Sequence, residues 1–196
     1  MINYQLLKIQ DAGSNSATGL LAFIRGELIP CFEAEELSLY GIFSGLFGLY
    51  TNELYLATFA ESPQDLIFNK VAEAGFSVNE RKLFVPTVRP VTHQPLKEEG
   101  VYVFRWFDVK NADVDEIAKL SEEAWLSFEA GFDTEVQALF AESSRAQSQG
   151  QMLLLTWYAN LTVWQESRRP PEAAIRNFMR RHELTRQAIP IATRLI

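Results

Sequence analysis

A chain of 196 residues with 47% hydrophobic and 12% aromatic residues can build one large core or two small ones, which excludes a disordered or fibrous protein. Its formal net charge of −7 and pI near 5.0 argue against nucleic acid or an anionic membrane as the main partner, because binding phosphates needs a dense field of Lys and Arg. The single cysteine, Cys31, excludes an internal disulfide and fits a reducing compartment. The opening "MINYQLLKIQ" lacks the charged and apolar regions of a signal peptide, and no apolar run approaches the roughly 20 residues that span a bilayer. A cytoplasmic location without a membrane span is therefore expected.

Taken in chain order, residues 2–9 alternate as a first strand. A helix follows at about 16–28, with Leu20, Phe23, Ile24 and Leu28 on one stripe. "LSLYGIFSGLFGLY" (37–50) is aromatic, β-branched and glycine-rich, which predicts a strand with a bend or bulge. "NELYLATFAE" (52–61) alternates as its hairpin partner. "SPQDLIFNKVAEAG" (62–75) reads as a helix with Ser62 as cap, Pro63 in the first turn, Asp65 at the capping-box spacing and Gly75 at the end. "RKLFVPTVRPV" (81–91) is a strand that Pro86 and Pro90 confine to an edge or bulge.

Residues 92–100 ("THQPLKEEG") read as a linker, after which the pattern restarts. The second series is a strand at 101–109, a helix at 112–131, strands at 133–143 and 151–160, helical sequence from 161 to 184, and a strand at 186–196. Asn160 is placed to cap the first part of that helical stretch, and Pro170-Pro171 to break it. "ELYLATF" (53–59) overlies "MLLLTWY" (152–158) at an offset of 99, and "TVRPV" echoes "ATRLI". Each half thus reads βαββαβ. The expected fold class is α+β: tandem ferredoxin-like repeats, 1–91 and 101–196, forming an intramolecular dimeric α/β-barrel. A homo-oligomer through the outer edges is compatible with this arrangement.

The order of elements, "LYLATF" and "LLLTWY" each followed by a helix, "FMRRHELTRQ" and the terminal "IATRLI" resemble the NIPSNAP family of the dimeric α/β-barrel superfamily. The resemblance covers both halves and is stronger from Val101 onward. It implies a ligand-binding role, and wider relatives in the superfamily include cofactor-free monooxygenases, haem-handling enzymes and stress proteins. None of their catalytic signatures occurs here. The only histidines are His93 in the linker and His182, and neither matches the usual haem-ligand position.

The residues themselves offer few chemical groups. Residues 164–187 carry six arginines against three acids, which reads first as a solvated face or as pairing with the acid-rich helix near 113–129, and second as an anion site. On the helix after Pro171, the spacing puts Ile175, Phe178, Met179 and His182 on one face, with Arg176, Arg180 and Glu183 on another. His182 then reads as a packed histidine. Arg105 stands in a strand whose same-face neighbours are apolar, so its guanidinium needs a carboxylate, carbonyls, water or a ligand. Lys8 sits near the equivalent place in the first strand. Trp106, Trp125, Trp157, Tyr158 and Trp164 read mainly as core, with pocket walls as the alternative. Lys8, Arg105, Trp106, Trp157 and His182 are the candidate ligand-binding residues, with no catalytic set, metal or cofactor assigned. Three roles follow: binding of a small acidic or apolar molecule, in the barrel or between sheet and helices; a cofactor-independent enzyme of the monooxygenase or isomerase type; and a non-catalytic assembly protein.

Overall fold

The structure, a computed structural model, describes residues 2–62 and 65–196. The fold is α+β. Eight strands, β1 (Asn3–Gln10), β2 (Ser38–Phe47), β3 (Glu53–Ala60), β4 (Ser77–Arg89), β5 (Val101–Lys110), β6 (Thr134–Glu142), β7 (Gln149–Tyr158) and β8 (Thr185–Leu195), follow the order β1-β3-β2-β8-β5-β7-β6-β4 of a closed barrel. The helices are α1 (Thr18–Phe23), α2 (Leu66–Glu73), α3 (Val114–Gly131), α4 (Leu161–Glu166) and α5 (Glu172–Leu184). The chain divides into two compact units. Unit 1 holds Met1–Val85, His93–Glu98 and Thr193–Ile196, and unit 2 holds Pro86–Thr92 and Glu99–Ala192. No helix among the described residues is long and apolar enough to cross a membrane.

In unit 1, β3 is paired antiparallel on both sides, with β1 (Leu7 opposite Leu56) and with β2. One face of this sheet buries Leu7, Ile9, Leu54 and Leu56 with Leu20, Ile24 and Leu28 from the first helical segment and Ile67 and Val71 from α2. The predicted stripe is therefore real, but the helix carrying it is not continuous. It passes at Ile24 into a π-helical turn and at Ile29 into a 3-10 turn. Gly26 lowers helix propensity there, and Pro30 supplies no N–H to continue the ladder. The expected bulge lies at Tyr40, where the β2–β3 register shifts between Leu39 and Gly41. A Cβ on Gly41 would stand 2.8 Å from Phe43 and Leu195 side-chain atoms.

Helix α2 starts later than the sequence predicts. Asp65 occupies the N-cap position, and its carboxylate pairs with Arg81 at 2.6 Å instead of capping. Ser62 is thus not the cap, and Pro63 lies outside the described residues. Gly75, at φ +84°, ends the helix as expected. The edge assignment for the strand after it is corrected: β4 begins at Ser77 and has a neighbour on each side in the closed order. Its ladder with β1 ends at Phe84, before Pro86, so the proline ring removes no donor from that ladder.

Unit 2 repeats the plan. Strand β7 is paired antiparallel with β5 and β6, and the β6–β7 register shifts between Val136 and Ala138. This second bulge, at Gln137, has no glycine to announce it. The two shifts correct the repeat alignment. Thr58 faces Leu39 and Thr156 faces Val136, each just before the shift, so the equivalent residues differ by 98 and not 99. A one-residue difference matters because it exchanges the two faces of a strand.

Asn160 caps α4 as predicted, its Oδ1 accepting the Thr162 and Val163 N–H groups at 3.0 and 3.1 Å. Asn160→Ala is expected to cost about 1 kcal/mol, read as a lower denaturation midpoint at unchanged m-value. Pro171 starts α5 with Glu172 in its first turn.

Candidate functional site

The site forms where unit 2's sheet meets its own helices. Along β5, alternation sends Arg105, Phe107 and Val109 to one face, and Leu154 of β7 lies directly opposite Arg105. That face is covered by α3 through Val114, Ile117 and Trp125, and by Phe178 and Leu184 at the end of the chain's helical stretch. The covering is incomplete. A pocket of about 410 Å³ remains, walled by Phe107, Trp125, Phe128, Val136, Leu154 and Phe178. Into it project Arg105, Thr156, Tyr158 and Arg181, with Ser167, Arg168, His182 and Thr185 also lining it.

The charge balance of this pocket is one-sided. Three arginines line it and, among the described residues, no Asp or Glu does. Arg181 is only 7% exposed. It donates to Ser121 Oγ at 3.3 Å, and its Cζ lies 4.7 Å from the Phe178 ring centroid and 5.3 Å from that of Phe107. Burial pushes Arg181 down to about 9, and the charge on Arg105 adds to the effect. Arg105 is itself shifted down, first by burial, with Arg168 contributing, while Tyr158 favours the charged form of both. Neither Arg105 nor Arg181 has a carboxylate within ion-pair reach among the described residues. The Thr156 and Tyr158 hydroxyls, both in buried residues, also lack a hydrogen-bond partner among them.

The arginine-rich segment divides between two roles. Arg180, half-exposed, bonds Glu116 of α3 at 2.9 Å and Glu183 at 3.1 Å, the structural pairing read from the charge pattern. Asn177 likewise donates to Glu123. Arg181 turns the other way, into the pocket. The predicted apolar face of α5 is corrected accordingly. Ala174 and Arg181 are buried and Phe178 is half-buried, whereas Ile175, Met179 and His182 are exposed. Sequence patterning places charged residues in solvent, but the long Arg181 stem reaches inward and sets its guanidinium over aromatic faces.

Of the candidate residues, the structure brings Arg105 and His182 to this pocket, His182 at its exposed rim. Trp106 and Trp157 lie on the opposite face of the strands, and the Trp157 indole donates to the Glu99 carbonyl at 2.9 Å. Lys8 belongs to unit 1 and lies 3.7 Å from the buried Glu53 carboxylate. It is not the counterpart of Arg105. With equivalent residues 98 apart, that counterpart is Leu7, which is 1% exposed in the unit 1 core and pairs with Leu56 as Arg105 pairs with Leu154. Arg168, Arg181, Thr156 and Tyr158 escaped the sequence reading as members of one site. The signal available was the spacing Ala174–Phe178–Arg181, which continues a buried stripe.

The donor set decides which cofactors fit. Guanidiniums have no free lone pair for a metal, the pocket's one imidazole is exposed at its rim, and no three His, Cys, Asp or Glu side chains converge among the described residues.

No protein-family model matches the sequence, and no curated protein matches it either. Solved structures do match, among them putative monooxygenases, a putative chlorite dismutase and a regulator of staphylococcal pathogenesis. An anthrone oxidase-like protein superposes with a TM-score of 0.67 at 11% identity, covering 99% of this chain and 91% of that one. A mutant chlorite dismutase from Candidatus Nitrospira defluvii gives 0.62 at 10% identity, with 100% and 91% covered. A ferredoxin fold protein related to antibiotic biosynthesis monooxygenases, from Listeria monocytogenes, gives 0.53 at 8% identity, with 100% and 96% covered. At these identities the similarity establishes the fold, a ferredoxin-like α/β-barrel, and nothing finer.

Proposed function

We propose that the unit 2 pocket binds a small acidic molecule with an apolar body. The observation that carries this reading is the pair of inward-facing guanidiniums, Arg105 and Arg181, without a carboxylate in reach among the described residues. An unpaired buried cation such as Arg181 costs several kcal/mol and the half-buried Arg105 costs less, and a bound anion offsets both. The aromatic walls and the volume suit a compact apolar body. A NIPSNAP-like identity and a cytoplasmic setting belong to the same proposal, supported by the sequence resemblance and the acidic, single-cysteine composition.

Isothermal titration of the full chain with 2-naphthoate and with its uncharged analogue 2-naphthamide tests the reading. The carboxylate should bind and the amide should not. Equal binding of the two, or no binding of either, would sink it. Arg181 sets the pH profile. Below about 9 it is charged in the free protein, and above that value binding must take up a proton. Affinity should therefore be flat from about pH 7 to 8.5 and weaken by up to about tenfold per pH unit above 9.

A second reading, a cofactor-independent enzyme of the monooxygenase or isomerase type, draws on one further observation. Tyr158 places an unpartnered hydroxyl in the same pocket as the two guanidiniums, a group able to exchange a proton with a bound molecule.

A further inference from the structure

We infer that the head group seated in this pocket carries two negative charges, as a phosphate monoester or a pair of carboxylates, with an apolar body against the aromatic wall. The inference rests on the anion-pocket reading above and goes beyond it in fixing the charge of the ligand.

The count of charges comes first. Arg105 and Arg181 project inward and Arg168 stands exposed at the pocket's edge, with no acid among the described residues lining the space. One carboxylate would neutralise one inward guanidinium and leave the other to bear its desolvation alone. Two charges neutralise both and remove their mutual repulsion. Arg168, in water, is already screened and needs no partner.

The count of donors agrees. A guanidinium offers five N–H groups. Arg181 spends one of them on Ser121 Oγ and has no other hydrogen-bond acceptor among the described residues, so its remaining N–H groups stay available. Arg105, Thr156 and Tyr158 have no hydrogen-bond partner among the described residues. Together they exceed what the two oxygens of one carboxylate can accept, and they match the larger acceptor set of a phosphate monoester or dicarboxylate.

The comparison within the chain shows that the fold does not demand this arrangement. At the position of Arg105, unit 1 carries Leu7, and at the position of Tyr158 it carries Ala60, both buried in the unit 1 core. The hollow beside Thr58, the counterpart of Thr156, is only about 10 Å³. The same backbone plan closes over apolar side chains in one unit and opens onto cations in the other.

The test is isothermal titration of the full chain at about pH 8, below the Arg181 transition, with three probes sharing one ring system: 2-naphthyl phosphate, naphthalene-2,3-dicarboxylate and 2-naphthoate. At least one dianion should bind about tenfold or more tightly than 2-naphthoate, the scale of one added charge-assisted hydrogen bond. Whichever dianion leads identifies the chemical source. In Arg105→Leu, which copies the unit 1 residue, 2-naphthoate should still bind and the dianion's advantage should fall below about twofold, since the second charge has lost its partner. Equal affinity for all three probes overturns the dianion while leaving the anion pocket standing. A dianion advantage that persists unchanged in Arg105→Leu overturns it too. If no probe binds, both readings fall. Circular dichroism and the thermal midpoint of Arg105→Leu establish that it is folded.

Discussion

Arg181→Met should make the protein more stable and weaken its anion binding. The thermal midpoint should rise by about 4–8 °C, from roughly 2 kcal/mol gained when a buried charge without a carboxylate partner gives way to an apolar side chain of similar length. The exchange leaves no orphan behind, because Ser121 Oγ still donates to the Ile117 carbonyl at 2.7 Å. Loss of the cation–π attraction to the Phe107 and Phe178 rings limits the gain. Affinity for 2-naphthoate should drop by about tenfold to a hundredfold. The sign of the pH dependence follows from the direction of the shift. The folded form of Arg181 loses its proton near 9, well below the unfolded chain, so the penalty is fully present below about pH 9 and fades as pH rises above it. The stability gap between variant and parent should narrow over that range. Urea titrations at about pH 7.5 and 10, on either side of the transition, check this. A variant less stable than the parent at the lower pH would mean that the guanidinium is held by interactions as strong as its desolvation.

Glu129→Ala should carry the opposite sign, a loss of about 2–3 kcal/mol. Glu129 and Arg89 form a two-point pair at 2.5 and 3.0 Å. Both groups also bond the backbone of Val136: Glu129 Oε1 accepts its N–H at 2.7 Å, and Arg89 Nη1 donates to its C=O at 3.0 Å. The ion pair thereby performs, at the bulge in β6, what a neighbouring strand does elsewhere in a sheet. Arg89 also lies 5.0 Å above the Trp125 ring. Their side chains are 29% and 21% exposed, so water screens part of the attraction and the full cost of breaking a buried pair is not reached. Glu129→Gln keeps an acceptor for Val136 and should lose less. Arg89→Ala combined with Glu129→Ala should cost clearly less than the two single losses added, and strict additivity in the double-mutant cycle would remove the coupling.

Much of the fold was legible because its signals are local. Alternation located the strands, Asn160 and Pro171 marked helix starts, Gly75 an end, and the glycines of β2 its irregularity. The bulge at Gln137 escaped because ladder geometry, not residue type, creates it. At the start of α2, Asp65 pairs with Arg81, a partner that sequence spacing does not encode. For the site, Arg105 stood out as a charge among apolar neighbours. Arg181 did not, because five other arginines share its segment and a helix face assigned by polarity sends them all to water. Only the packing distinguishes Arg180, bonded to Glu116, from Arg181, set between two phenylalanines. Lys8 was misplaced by a single residue of phase, enough to substitute a surface-tending lysine for the buried Leu7.

That one residue of phase also bears on how the two units differ. Leu7 and Arg105 occupy the same node of a repeated scaffold. Leu7 fills the core of unit 1, whereas Arg105 borders a hollow in unit 2, so the first position tolerates less change than the second. Libraries randomised at Arg105, Tyr158 and Arg181 should consequently retain a high proportion of well-folded members, whereas equal diversity at Leu7 and Ala60 should yield mostly insoluble protein. Unit 2 is thus where side chains can vary without emptying a core.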